Sequence, residues 1–186
     1  MDFHSHPELA GRHAFLGPSK SSWLRYNDQK LEARFYAAQA ARIGSDKHEL
    51  ARNAIRLGIK IDRRSNPSLA AYVADALAYK MRCEQPLYYS DNCFGTADAI
   101  SFRRGKLRIH DLKTGITKTS FEQLEVYAAL FCLEYGIDPF DIEIELRIYQ
   151  REDMDVVQPI PEKILQIMET IVAFDRQINI IKEANW

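Results

Sequence analysis

The run "FDIEIELRIYQ", residues 140–150, alternates apolar and polar side chains almost perfectly. Ile142, Ile144, Leu146 and Ile148 fall on one side, and Glu143, Glu145, Arg147 and Tyr149 on the other. A two-residue period is that of a strand, because a helix would scatter the four aliphatic residues around its axis. A strand of this length needs neighbours. They are found upstream, where "QPLYYS", "CFGTADAISF" and "KLRIHDLKTG" are rich in aromatic and branched residues. The "RRG" between the last two has the length of a hairpin turn.

The rest of the chain has helical spacing. "GPSKSSWLRYNDQKLEARFYAAQAAR" opens with residues that start helices, with Ser19 or Ser21 as a cap, and leads into a helix from about Asp28 to Arg42. Gly44 ends it. A second helix is predicted over "SDKHELARNAIRLG", with Ser45 as cap, His48 in the first turn and Gly58 as stop. A third follows from Asn66 or Ser68, a fourth runs from Ser120 to Tyr135, and a last one from Pro161 to Lys182. The order is helices, two or three antiparallel strands, helix, strand, helix. It predicts an α/β fold in which helices cover a small mixed central sheet, preceded by an N-terminal helical region.

At 186 residues with 46% apolar content, the chain can bury a core without disulfides. The expected organisation is a flexible segment over 1–15 and a single domain over 16–186. His4, His6 and His13 lie in the first of these, and scattered terminal histidines are read as a solvated tail. Lys plus Arg number 25 against 26 Asp plus Glu, a net charge of −1. No global field therefore attracts nucleic acid, and any such binding has to come from a local patch. Cys83, Cys93 and Cys132 are too few and too widely spaced for a zinc or iron-sulfur site and read as reduced thiols. No segment has the length of a membrane span, no leader pattern opens the chain, and the expected compartment is the cytoplasm.

The hairpin also carries charges that a structural hairpin does not need. Asp111 and Lys113 are two apart in one strand and share a face, while Leu112 points the other way into the core. Asp98 precedes the turn and, with a turn near 103–105, falls near the level of Asp111 to Lys113. Two carboxylates and a backbone carbonyl, here that of Leu112, form part of the oxygen shell that Mg²⁺ or Mn²⁺ requires. An ordinary surface ion pair would explain Asp111 with Lys113 equally simply and be worth about 0–1 kcal/mol.

"GTAD", "IHDLKTG" and "QLEVY", in that order, resemble the successive motifs of the PD-(D/E)XK nuclease superfamily, in particular its RecB-like and Cas4-like exonuclease branch. The upstream "LGPSKSSWLRYNDQKLEARF" and "GSDKHELA" are similar to the N-terminal half of phage-associated proteins of that branch. The resemblance covers about residues 16–135. It implies a restriction-endonuclease-like core and a Mg²⁺- or Mn²⁺-dependent deoxyribonuclease. It makes His48 a metal ligand or metal neighbour, Asp98 and Asp111 the metal-binding acids, and Lys113 the catalytic lysine. Gln123 and Tyr127 would contact substrate or support the site; four residues apart, they share a helical face. Members of the branch often hold an iron-sulfur cluster on four cysteines, so this chain would be a cluster-free member. It has no Gly-rich nucleotide-binding loop of the P-loop kind either.

The implied partner is DNA, single-stranded or at duplex ends, with a second copy or a recombination protein as a further partner. Arg103, Arg104, Lys106 and Arg108 around the turn are candidates to hold backbone phosphates, as are Lys118 and Thr119 in the loop after the hairpin. The alternative is a non-cleaving nucleic-acid-binding or assembly protein on the same fold.

Overall fold

The computed structural model describes residues 14–16, 18–64, 66–115 and 119–184. His4, His6, His13 and Lys118 lie outside them. The chain divides into two units, 1–45 and 46–186. The expected single domain from residue 16 therefore spans both.

In the first unit, Pro18–Arg25 forms a 3₁₀ helix, and the long helix α1 (Asp28–Leu57) begins. Asn27 starts it, its Oδ1 accepting the Lys30 amide at 2.9 Å. Phe15 stacks edge-on against Phe35 at 5.4 Å between ring centres. The break predicted at Gly44 does not occur. One glycine costs a helix only about 1 kcal/mol, and the good helix formers on both sides outweigh it. Ser45 is therefore no cap, and His48 lies well inside α1 rather than in a first turn. Gly58, at φ +70°, does end the helix, and Ile59 donates back to the Ala54 carbonyl at 2.8 Å.

The second unit holds the sheet. After α2 (Pro67–Ala78), capped by Asn66 through the Leu69 amide, come β1 (Arg82–Ser90), β2 (Cys93–Arg103) and β3 (Lys106–Lys113). Then follow α3 (Glu122–Tyr135), β4 (Glu143–Gln150), β5 (Asp153–Val157) and α4 (Pro161–Ala184). The strands lie in sequence order. β3 and β4 are parallel, joined by the α3 crossover, and the other neighbours are antiparallel. This is the mixed α/β sheet expected. β5 is an addition: "DMDVV" is almost wholly exposed, so its edge position leaves no buried face for a sequence pattern to record.

Two apolar layers enclose the sheet. On one side α3 and α4 pack through Leu124, Ala128, Phe131 and Ile164 onto Ile109, Leu146 and Ile148. On the other, Ala51 and Ala54 of α1 with Leu69, Tyr72 and Val73 of α2 cover Leu112 and Tyr149. β4 is consequently buried on both faces, Glu145 and Tyr149 included.

The pleat inverts at one level of the sheet. Leu87 and Ala97 belong to the α3 side, whereas Cys83 and Ala99 belong to the α2 side. Residues an even number apart in a regular strand share a face, so β1 and β2 both rotate in between. Glu84, at φ +49°, and Asp98 stand at this level, between the pairs Cys83↔Ala99 and Gln85↔Ala97. The β2–β3 ladder also ends there, with Ala99↔His110 its last pair. The two strands diverge beyond it, and the candidate site lies at the fork.

Candidate functional site

At the fork Asp98 replaces the lost ladder contact: its Oδ2 accepts the Leu112 amide at 3.3 Å. Leu112 itself is buried against α2, so the strand is anchored on one side while its neighbours Asp111 and Lys113 point to the other. Asp98 Oδ2 also lies 3.4 Å from His48 Nδ1, which brings α1 to the same point. Glu84, across from Asp98, is held by Arg52 of α1 at 2.9 Å.

Asp111 is almost fully buried. Lys113 Nζ lies 3.0 Å from both of its oxygens but donates properly only to Oδ1, and Oδ2 is left buried without a hydrogen bond. Burial, then the nearby Asp98 charge, push the Asp111 carboxyl above its ordinary range, against the opposing pull of Lys113 and His48. Lys113 Nζ donates in addition to Gln123 Oε1 at 2.8 Å, and Gln123 Nε2 is 3.4 Å from the Tyr127 hydroxyl. His48, Asp98, Asp111, Lys113, Gln123 and Tyr127 therefore form two short chains of contacts meeting at the strand fork, drawn from two helices and two strands.

Tyr127 shows why "GTAD" begins with glycine. A Cβ on Gly95 would come 2.9 Å from Tyr127 Cε1, closer than such contacts occur, although Gly95 has no unusual φ. Gly95→Ala is expected to destabilise by about 1–3 kcal/mol through this overlap. The check is the denaturant midpoint, with Tyr127→Leu in the same chain restoring most of the loss. Tyr72 was not singled out from sequence. It is buried under the fork, and burial followed by the Asp98 charge raises its hydroxyl pKa strongly, so it stays neutral beside the carboxylates. A tyrosine in a helical apolar stripe gives no sequence signal for such a place.

A hard divalent cation requires oxygen donors where negative charge is under-compensated. Asp98 and Asp111 would be its oxygen donors, and Asp111 Oδ2, buried and without a hydrogen bond, is the atom such an ion would engage. Among the described residues no three His, Cys, Asp or Glu side chains converge as a ready ligand group. Two carboxylates are fewer donors than such an ion requires, so the remaining positions would fall to water.

The other expectations fall away from this point. The basic turn is at the far end of β3, seven residues from Lys113, about 23 Å at strand rise. Lys106 and Arg108 there are engaged by Glu145, at 2.9 and 3.4 Å. Cys83, Cys93 and Cys132 are free thiols on separate elements, and burial pushes Cys83 and Cys132 up to about 11. No described helix is long and apolar enough to cross a membrane.

No family model matches the chain, and no curated protein matches it. Among solved structures it is similar to one titled "Crystal structure of SSO0001", at 9% identity and a TM-score of 0.32. That match spans 57% of this chain and 57% of the other.

Proposed function

We propose that the chain is a divalent-cation-dependent deoxyribonuclease, hydrolysing DNA phosphodiesters, as an exonuclease, in phage or bacterial DNA processing or recombination. The observation that carries this reading is one ammonium, Lys113 Nζ, held between a buried carboxylate at 3.0 Å and the Gln123 amide oxygen at 2.8 Å, beside a second carboxylate. In the overall reaction water adds to phosphorus and one P–O ester bond breaks, giving a phosphate monoester and a free hydroxyl.

Asp98, Asp111 and the Leu112 carbonyl would hold Mg²⁺ or Mn²⁺, with water filling the remaining positions. When bound, the ion lowers the pKa of a coordinated water and offsets phosphoryl charge. Lys113 keeps a fixed positive charge where negative charge develops on the phosphoryl oxygens, which is worth most when it need not reorganise. Gln123 holds the ammonium in place, and the Tyr127 hydroxyl steadies Gln123. His48 holds the Asp98 carboxylate from the α1 side.

The test is end-labelled linear DNA, single-stranded and duplex, beside a closed circle, in Mg²⁺ or Mn²⁺ and in EDTA. Linear DNA is expected to be shortened from its ends only with the cation, and Lys113→Ala is expected to lose about a hundredfold in rate. Equal rates for Lys113→Ala and the unsubstituted chain would remove the mechanism. The missing three-donor group among the described residues favours the second reading, a non-cleaving nucleic-acid-binding protein on this fold. Under that reading DNA is bound and never shortened.

A further inference from the structure

We propose that the end of the sheet opposite the candidate site is a separate binding surface for single-stranded nucleic acid, with its own phosphate-holding cations and base-stacking rings. The inference rests on the nucleic-acid reading above but not on cleavage.

A concavity of about 420 Å³ opens there, lined by Lys80, Arg103, Arg104, Lys106 and Arg108 with Glu143 as the acid of its lining. Five cations against one acid is a strong local excess in a chain of net charge −1. The cations divide into two sets. Lys106 is fixed by Glu145, and Arg108 lies over the Tyr79 ring at 4.3 Å, so these two form a rigid floor. Lys80, Arg103 and Arg104 are exposed at the mouth and pair with no described residue. Lys80 and Arg104 also have φ of 51° and 52°, a backbone state that glycine would adopt at less cost. The chain holds cations at both positions nonetheless.

A single small anion would not use all of this surface. A second concavity, about 490 Å³, shares Lys80 and Arg103 with the first and adds Arg82, so the cationic track continues along the sheet end. Its wall carries Phe102 and Tyr135, 40% and 54% exposed, flanking the buried Phe131 at 5.2 and 4.8 Å between ring centres. Exposed rings beside a cationic track are what an unpaired strand uses, its phosphates on the cations and its bases stacked on the aromatic faces. A duplex keeps its base faces covered and would leave those rings idle.

The experiment is fluorescence anisotropy of a labelled oligothymidylate in EDTA, over a series of salt concentrations. The unsubstituted chain is expected to bind. Replacing Lys80, Arg103 and Arg104 together by Ala is expected to weaken binding at least tenfold and to reduce the slope of log K against log salt by about 2, at 0.7 per phosphate contact. Arg104→Glu, a single change in the exposed turn, is expected to weaken binding with the fold intact. Phe102→Ala with Tyr135→Ala is expected to lose about tenfold or more with the slope unchanged. Wild-type affinity and slope in the triple variant would overturn the proposal, as would tighter binding of a duplex of equal length or no binding by the unsubstituted chain. The assay contains no divalent ion, so DNA that is bound here and never cut in Mn²⁺ would sink the nuclease reading and leave this one standing.

Discussion

Asp111→Asn is expected to abolish cation-dependent cleavage, by about 10³-fold or more, while making the metal-free protein more stable at neutral pH. The first effect follows from loss of one of two carboxylates that would share the ion; a thousandfold is about 4 kcal/mol in the barrier. The second follows from burial. The Asp111 carboxyl is pushed above its ordinary value by burial and by Asp98, so between those two values the folded chain binds more protons than the unfolded one. Stability therefore falls as pH rises from the ordinary carboxyl value through the raised one, and the ionised side chain remains a cost at pH 7. An amide keeps the shape and removes the charge.

A bound cation reverses the balance for the native sequence alone. At a hundred times its dissociation constant a ligand adds about 2.7 kcal/mol, and at 2–4 °C per kcal/mol for a chain of this size the melting temperature rises by about 5–11 °C. Scanning calorimetry in EDTA and in excess Mn²⁺ separates the cases. The native chain is expected to melt below Asp111→Asn in EDTA and to gain with Mn²⁺, and Asp111→Asn is expected to gain little. A native melting temperature indifferent to Mn²⁺ would leave the two carboxylates without a ligand to explain them.

The site's members were readable because each sits in a strong local pattern. Asp111 and Lys113 follow strand parity, Gln123 and Tyr127 helix spacing, and the turn at Arg104–Gly105 fixes the level of Asp98. Their arrangement was less readable, because it depends on a fault in the sheet. Cys83 and Leu87, or Ala97 and Ala99, have the parity of one face and occupy two. Nothing in the residue types marks that inversion, since Glu84 takes φ +49° without being glycine. The continuity of α1 was hidden for the opposite reason: Gly44 is a strong local signal for a helix end, and its neighbours override it.

Tyr149 and Glu145 present the same problem on β4, where alternation sets them opposite the aliphatic face and the structure buries them too. What makes their burial tolerable is Arg147, and Arg147→Met is expected to cost about 3–5 kcal/mol, a drop of roughly 6–20 °C. The guanidinium reaches Asp75 of α2 at 2.7 Å, Glu145 at 2.8 Å and the Tyr79 hydroxyl at 3.1 Å. Asp75 in turn accepts from the Tyr149 hydroxyl at 2.6 Å, and Tyr149 meets the buried His110 at 3.2 Å. Burial alone would raise the Glu145 carboxyl, but Lys106 and Arg147 hold it below its ordinary 4.5. A depressed carboxyl stabilises fully above 4.5 and loses that contribution as pH falls through the folded value. The penalty of Arg147→Met should accordingly be full at pH 7 and shrink as pH falls from 4.5 through the lower folded value, at which the native Glu145 takes up a proton. Urea midpoints for both chains at pH 7 and pH 4 measure it. A difference that stays constant across that range would mean that Arg147 acts through packing on Tyr79 and Asp75 rather than through the charge of Glu145.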